Sequence, residues 1–353
     1  MRETVINKST SASMSRIAII VVSYGHDKVL SQLLVKLGNQ KKNYDRLVVV
    51  DNHPNKKGAL VARETGVVDV ILESDNHGFS AGCNIGARSV KDEVDTLLFI
   101  NPDTSPETNL LDVIRQNQKI NAITMPLLVL PNKKVNSAGN IVHISGLSWC
   151  GGFRDKRSFY QLESDIYVAS GACFGVRVDW WNKLGGLEEI YFMYYEDTDF
   201  STRVILLGGS IKLLPDTQVV HDYEYIKGDY KWFYLERNRL LYIVRCWPRD
   251  VIIVLLPMLF AVEIALWVVA AVQGRLFLKL KSTISMFKVI PAVIRSRYLI
   301  QKTSVINAYD FYQTLVSPIN NPALGSISNN KVIDYVFESY YKLAGFILKK
   351  LTR

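Results

Sequence analysis

The chain contains few cysteines, and their spacing does not suit a zinc site. None of the four cysteines among 353 residues stands in a Cys-x-x-Cys pair, so a cysteine-based zinc site is not expected. The residues before Arg16 are polar and lack an apolar run, which argues against a secretory signal and predicts a flexible N-terminus over residues 1–15. A reducing, cytosolic compartment is the default for such a chain. Without a zinc finger, recognition helix or aromatic-basic RNA motif, no nucleic acid partner is expected.

Acidic residues are missing from one long basic stretch. Between Ile264 and Tyr309 there is no Asp or Glu, although the stretch holds seven Lys and Arg residues. It overlaps the apolar segment Val251–Val272, whose length suits a membrane span but whose basic flanks on both sides argue against a simple one. We expect a hairpin or in-plane helix pair, broken near Pro257, on an anionic membrane surface. The alternative is a buried helix pair at a homodimer interface.

Strand-length apolar runs alternate with helical patterns in the first hundred residues. The runs are Ile17–Tyr24, Leu47–Val50, Val67–Leu72 and Thr96–Ile100. This alternation predicts an α/β fold with a mostly parallel sheet flanked by helices. Ligands on such sheets bind outside the carboxyl ends of the strands. Polar clusters follow three of the runs, namely Ser23-Tyr24, Asp51-Asn52 and Asn101-Pro102-Asp103.

Asp103 and Asp51 each have a functional and a structural interpretation. Asp103 stands on a proline-stiffened turn, where a carboxylate suits a divalent cation that also binds phosphate. It would equally suit the cap of a helix starting near Pro106. Asp51 can accept hydrogen bonds from a base or a ribose, or it can form an Asx-turn into the residues that follow. The residues alone leave these alternatives open.

A predicted helix over residues 79–89 has glycines spaced by four. Gly78, Gly82 and Gly86 fall near one helical face, which a ligand or a backbone can approach closely. Asn84 offers a donor and an acceptor beside that face. The alternative is tight packing of this helix on the sheet, and the sequence does not separate the two.

Glu196, Asp197 and Asp199 form the densest acid cluster, directly after the aromatic run 191–195. Aromatic walls raise the pKa of a carboxyl group and make it a candidate general base. Acids at a helix start also stabilise the helix dipole, but three in four residues exceed that need. His221 follows 24 residues after Asp197 and becomes a candidate ligand only if Asp103 holds a metal.

These segments, in this order, resemble family 2 of the inverting glycosyltransferases, which have the GT-A fold. The likeness spans about residues 16 to 245 and is strongest to the rhamnosyltransferase-like branch that builds bacterial surface polysaccharides such as O-antigen. It implies a GT-A catalytic domain over residues 16–228. A helical, apolar and basic membrane-associating region would follow over residues 229–353. Such an enzyme would lie peripherally or monotopically on the cytoplasmic face of the cell membrane.

The resemblance also implies roles for individual residues. Seven of them would bind the nucleoside-diphosphate sugar: Ser23, Tyr24, Asp51, Asn52, Gly82, Asn84 and Asn101. Asp103 and His221 would hold Mg²⁺ or Mn²⁺. Asp197 would be the catalytic base, and Glu196 would support it or contact the acceptor. The family's metal motif has two acids flanking one residue, whereas the first position here is Asn101, so one carboxylate must suffice.

The implied reaction is transfer of a single sugar to a saccharide or lipid-linked saccharide. Residues 230–239 lack the Q-x-x-R-W motif of processive synthases, which argues against chain extrusion. A nucleotidyltransferase would need a glycine-rich, basic loop after the first strand, and Ser23-Tyr24-Gly25-His26 is not one. A non-catalytic nucleotide-sugar-binding scaffold would tolerate loss of Asp103 or Asp197. The glycosyltransferase interpretation requires Asp51, Asp103 and Asp197 to face one cleft.

Overall fold

The computed structural model describes residues 15–25, 27–118, 121–222, 228–319 and 330–352, so the expected flexible N-terminus lies almost wholly outside the described residues. The first elements alternate strand and helix. They are β1 Ile17–Ser23, α1 Asp27–Gly38, β2 Arg46–Asp51, α2 Lys57–Thr65, β3 Val70–Glu73, α3 Phe79–Val90 and β4 Thr96–Ile100. The four predicted strands and the predicted glycine-bearing helix are confirmed, with β3 beginning three residues late.

The middle of the chain is mostly β-structure with short helices. Its strands are β5 Thr104–Pro106, β6 Ile123–Val129, β7 Val135–Ser137, β8 Asn140–Val142, β9 Ser148–Cys150, β10 Ser164–Asp165, β11 Cys173–Arg177 and β12 Ile211–His221. Its helices are α4 Leu110–Asn117, α5 Val178–Leu184 and α6 Glu196–Leu206. Helices follow to the end of the described chain: α7 Gly228–Cys246, α8 Arg249–Val272, α9 Leu276–Thr303, α10 Ala308–Tyr312 and α11 Lys331–Leu351.

The main sheet has the strand order β10-β12-β6-β11-β4-β1-β2-β3. Strands β4, β1, β2 and β3 run parallel, as do β6 and β12, whereas β11 is antiparallel between the two groups. Strands β1, β4 and β6 are buried along their whole length, because helices cover both faces of the sheet. The predicted α/β fold with a mostly parallel sheet is confirmed.

Strand β12 reaches His221 because its pairing with β6 resumes after a bulge between Leu214 and Gln218. Its last residues pair with the short strand β5, with His221 opposite Thr104. The residues after Asp103 are therefore a strand. The alternative in which Asp103 caps a helix near Pro106 is wrong, since the next helix begins at Leu110.

The expected break of the apolar segment at Pro257 is also wrong. Helix α8 continues through Pro257, and the chain turns at Gly274, whose φ of 69° favours glycine. Helices α7 and α9 then run side by side in the same direction. Arg275 at the start of α9 is 3.7 Å from Asp229 at the start of α7, and Arg297 near the end of α9 donates to the carbonyl of Val244 at 2.7 Å.

A second hydrophobic cluster joins the helical region to the sheet. It packs Tyr191, Tyr195 and Leu206 against side chains of α7, α8 and α11. A buried ion pair between Asp199 of α6 and Arg245 of α7 reinforces this contact. Asp199 also pairs with Arg203 of its own helix. Burial alone would raise the pKa of Asp199, but the two guanidinium groups outweigh it and hold that pKa well below its usual range. Asp199 is thus a structural anion between helices.

Candidate active site

A well-formed cavity lies at the carboxyl edge of the sheet. Its volume is about 600 Å³, which suits a ligand of nucleotide-sugar size. Asn101 after β4 and His221 at the end of β12 line one part of it, and Gly171, ahead of antiparallel β11, lines another. These three chain positions meet because the end of a parallel strand and the start of an antiparallel neighbour share one edge. The cavity therefore occupies the expected ligand site of such a sheet.

Asp103 and His221 form a carboxylate–imidazole pair at this edge. The pairing of β5 with β12 brings Asp103 Oδ1 to 3.6 Å from His221 Nε2, although the residues are far apart in the chain. His221 Nδ1 lies 3.2 Å from Asn136 Oδ1, an arrangement in which Nδ1 carries the proton and Nε2 presents its lone pair. A neutral imidazole and a carboxylate that face each other in this way are suitable ligands for a divalent cation.

The described residues contain no cluster of three or more His, Cys, Asp or Glu side chains that could hold a metal. Asp103 and His221 could supply two protein ligands, and any further ligands would come from a substrate or from water. Mg²⁺ and Mn²⁺ are commonly bound in this way, with few carboxylates and several phosphate oxygens. The residues present fit such an ion.

Glu196 and Asp197 enter the cavity from the start of α6. Asp197 is held in place, because its Oδ2 accepts from the Gly171 N–H at 2.8 Å and its Oδ1 from the Thr198 N–H at 2.7 Å. Burial raises the pKa of Asp197 even though these bonds lower it. Burial and the neighbouring charge of Asp197 raise the pKa of Glu196 well above its usual range. Asp197 is therefore the carboxylate of the pair that backbone hydrogen bonds orient.

The aromatic run before the acid pair is a strained loop. Phe192, Tyr194 and Tyr195 all have positive φ angles, of 65°, 66° and 71°, which side-chain-bearing residues rarely adopt. The carbonyl of Phe192 accepts from the Phe79 N–H at 2.7 Å, so this loop also holds the start of α3. Strained backbone of this kind persists only when its surroundings fix it.

Buried side chains of α7 fix this loop, and the sequence analysis did not find them. Asn238 is fully buried and donates to the carbonyls of Tyr191, Met193 and Tyr194 at 2.7–2.9 Å. Arg237 donates to the carbonyl of Ile190 at 2.6 Å. The only available signal was an arginine-rich helical pattern, which does not indicate bonds to a distant loop. Both residues orient the acid pair without reaching the cavity.

Asp51 ends β2 at the same edge of the sheet, but its side chain does not line the cavity. Its side chain is fully buried, and it accepts from the His53 N–H at 2.9 Å and the Ala59 N–H at 2.8 Å. These bonds close the turn between β2 and α2. Ser23 is buried beside it, whereas Tyr24 is exposed with its ring 4.8 Å from the ring of His53. Asp197 and His221 line the cavity, whereas Asp103 contacts His221 without lining it, so of the three aspartates Asp197 alone lines this cavity.

Of the other residues predicted to bind the nucleoside-diphosphate sugar, only Asn101 lines the cavity. A side chain at Gly82 would meet Val22 at 2.6 Å, so α3 packs tightly on β1. Asn52 donates to the carbonyl of Gly78 at 3.0 Å. Asn84 exchanges two hydrogen bonds with the backbone of Leu187, at 2.8 and 3.0 Å. These residues position α3 and the loops around it.

The fold is that of the GT-A glycosyltransferases. The described structure is similar in fold to the crystal structure of GalNAc-T7 with UDP, GalNAc and Mn²⁺. The TM-score is 0.53 at 13% identity, and the match covers 67% of this chain and 49% of that one. Residues 18–185 match glycosyl transferase family 2. The chain therefore contains a domain of glycosyl transferase family 2.

Relatives in sequence are sugar transferases. Rhamnosyltransferase WbbL of Escherichia coli (strain K12) is 25% identical over 249 residues, covering 63% of this chain and 94% of the relative. A shorter match, 33% identical over 73 residues, is to an N-acetylglucosaminyl-diphospho-decaprenol L-rhamnosyltransferase of Mycobacterium tuberculosis (strain CDC 1551 / Oshkosh). It covers 21% of this chain and 24% of that protein. Transfer of a sugar is thus the activity that fold, site and relatives share.

Proposed function

We propose that the chain transfers one rhamnose from a nucleoside-diphosphate donor to a lipid-linked saccharide, with inversion, in the synthesis of a surface polysaccharide. The observation that carries this proposal is that Glu196, Asp197 and His221 line one cavity and that Asp103 lies 3.6 Å from His221. The rhamnosyltransferases among the relatives support the choice of sugar. The diphospho-decaprenol substrate named for one of them supports a lipid-linked acceptor.

Asp197 is the base of the proposed reaction. It accepts the proton of the acceptor hydroxyl, whose oxygen attacks the anomeric carbon from the face opposite the diphosphate. The bond from that carbon to the diphosphate breaks, and the nucleoside diphosphate leaves with the bonding electrons. Glu196, whose pKa is raised by burial and by the charge of Asp197, would support this base from the neighbouring position. A single displacement of this kind inverts the anomeric configuration.

Asp103 and His221 would hold Mg²⁺ or Mn²⁺ on the donor side. A divalent ion there stabilises the negative charge that develops on the leaving diphosphate. Asn101, which lines the cavity, and the exposed ring of Tyr24 would contact the donor directly. Ser23, Asp51, Asn52, Gly82 and Asn84 would act by fixing the backbone around it. In this proposal residues 16–228 form the catalytic domain and residues 229–353 the membrane-associating region.

A peripheral position on the membrane follows from the surface of the helical region. Among the described residues one helix, Arg249–Val272, is long and apolar enough to cross a membrane. It exposes apolar side chains at intervals of three or four residues, from Ile253 to Val272. Four cations on α9 are exposed and recur every seven residues, at Lys281, Lys288, Arg295 and Lys302. Cations that border an apolar face are typical of a helix lying in the plane of an anionic bilayer.

Changing Lys281, Lys288 and Arg295 to Gln should weaken binding to vesicles of phosphatidylglycerol and phosphatidylcholine by roughly 10²-fold, at about 1 kcal/mol per charge. Vesicle flotation measures this change. The matched control removes three exposed lysines of the sheet region, Lys133, Lys134 and Lys183, and should bind as the unchanged chain does. If the unchanged chain does not bind vesicles but forms dimers, this face is a homodimer interface and the membrane assignment is rejected.

Activity should rise with pH as Asp197 loses its proton. Because burial raises its pKa, the acid limb of kcat/KM should lie above the usual range of an aspartate. Glu196→Gln should leave that limb in place, since the proposed base, Asp197, is unchanged in this variant. A pH profile of both proteins decides the point. If the limb disappears in Glu196→Gln, Glu196 is the base instead.

The class of reaction is tested by incubating the purified chain with thymidine-, uridine- and guanosine-diphosphate sugars, with and without EDTA. Release of the nucleoside diphosphate that needs a divalent metal supports a glycosyltransferase. Release of the nucleoside monophosphate or of inorganic diphosphate would indicate a nucleotidyltransferase. Tight binding of a donor without turnover, in the presence of lipid extract, would indicate a non-catalytic scaffold.

A further inference from the structure

Two cations on the cavity wall have no role in the proposed reaction. Arg154 is exposed, Lys231 is half-buried, and both line the cavity that holds Asp197. We propose that Arg154 and Lys231 bind the diphosphate of a lipid-linked acceptor, and that the turn between α8 and α9 receives the first part of its apolar chain. This inference rests on the proposed function and assigns its acceptor side to residues.

Arg154 is presented by a tight turn after β9. Its φ is 68°, in the region that favours glycine, and its N–H donates to the carbonyl of Val135 at 2.8 Å. Val135 belongs to β7, the same strand that carries Asn136, the partner of His221. The turn is therefore anchored to the strand beside the Asp103–His221 pair. Its arginine is fixed at the cavity by backbone bonds.

Lys231 lies in the first turn of α7, next to the start of α9. The parallel packing of these helices sets this position, because Asp229 is 3.7 Å from Arg275 and Glu236 pairs with Lys279. Leu235, one helical turn after Lys231, lines the same cavity. The cavity and the turn between α8 and α9 therefore adjoin the same end of α7.

That turn carries the most exposed apolar side chains of α8 and α9. Val272 is 83% exposed and Phe277 is 79% exposed, with Leu276 between them at 49%. Cations beside an exposed apolar surface match a ligand with an anionic head and an apolar chain. Arg and Lys bind diphosphate oxygens through charge-assisted hydrogen bonds. A water-soluble sugar acceptor would have no use for the apolar turn.

The test measures binding of farnesyl diphosphate and of inorganic diphosphate to the full chain by calorimetry. Saturating thymidine diphosphate and Mg²⁺ fill the donor site throughout. Farnesyl diphosphate should bind more tightly than inorganic diphosphate. Arg154→Gln and Lys231→Gln should each weaken farnesyl diphosphate about 10-fold, since each removes one charged contact. The matched control Arg157→Gln changes an exposed arginine outside the cavity lining and should bind normally.

A third variant separates the apolar contact from the charged one. Phe277→Ser should weaken farnesyl diphosphate and leave inorganic diphosphate unchanged. The assignment is overturned if Arg154→Gln or Lys231→Gln weakens thymidine diphosphate instead, or if the two diphosphate probes bind equally. Donor turnover with and without EDTA is measured separately on the same protein. If the unchanged chain does not turn over any donor but binds farnesyl diphosphate more tightly than inorganic diphosphate, the proposed reaction is rejected. The site for the diphosphate and its apolar chain then still stands.

Discussion

Asp197→Asn is expected to lower the rate of sugar transfer by about 10³-fold, within the range for removal of a general base. The asparagine keeps the shape of the side chain, and its amide oxygen can still accept from the N–H of Gly171 or Thr198. The cavity should therefore keep its form, and the affinity for the nucleoside diphosphate should stay within about twofold. Initial rates with saturating donor and acceptor, together with calorimetric titration of the nucleotide, measure both quantities.

The control for this variant is Asp216→Asn, which makes the same change at an exposed aspartate of β12. It should transfer sugar at the normal rate. Near-normal turnover in Asp197→Asn would reject the base assignment. A normal rate in Asp197→Asn combined with a large loss in Glu196→Gln would transfer the role to the neighbouring carboxyl group.

Asp103→Asn and His221→Gln form the second prediction. Each should lower the transfer rate by about 10²-fold at low metal concentration, because each removes one of two protein ligands. Part of the loss should be recovered by raising the Mn²⁺ concentration, since the diphosphate still supplies ligands. Metal titrations of the rate show this as a shift of the half-saturating concentration.

Asp222→Asn is the matched control for the substitutions of Asp103 and His221. Asp222 follows His221 directly and is exposed, so its loss should leave the metal dependence unchanged. If Asp103→Asn lowers the rate equally at every metal concentration, Asp103 acts by another means. Full activity of the unchanged chain in EDTA would remove the metal from the mechanism.

The sequence predicted the sheet well, because buried parallel strands are continuous apolar runs. Strand β4 begins and ends at the predicted residues, and α3 begins where expected. The alternation of strands and helices also located the edge that carries the site. These features depend on local patterns that a single chain displays directly.

The meeting of Asp103 with His221 could not be predicted in this way. It depends on β5, a strand of only three residues, and on a bulge that lengthens β12. Short strands with irregular register leave too little apolar periodicity to detect. The resemblance to a known family supplied the pair, and the strand pairing gives its physical cause.

Asp51 shows the opposite outcome. Its position at a strand end suggested contact with a ligand, but the same position lets the carboxylate accept two backbone N–H groups in its own turn. Both alternatives were open from the residues. The local turn is the arrangement that the structure adopts, so any effect of Asp51 on the donor passes through that turn.

Asn238 illustrates what patterns along the chain do not contain. Three carbonyls of a loop some forty residues earlier converge on one buried amide, and no spacing rule connects them. The strain of that loop is equally invisible, since Phe192, Tyr194 and Tyr195 are not residue types that favour positive φ. Positioning of the acid pair is thus a property of tertiary structure alone.

The central claim is that one carboxylate base, Asp197, drives a single displacement at the anomeric carbon. The most direct measurement is the NMR assignment of the anomeric configuration in the purified product, compared with that of the nucleotide-sugar consumed. The account predicts the opposite configuration in the product. Retention of the donor's configuration would require a second displacement and would contradict the assignment of Asp197.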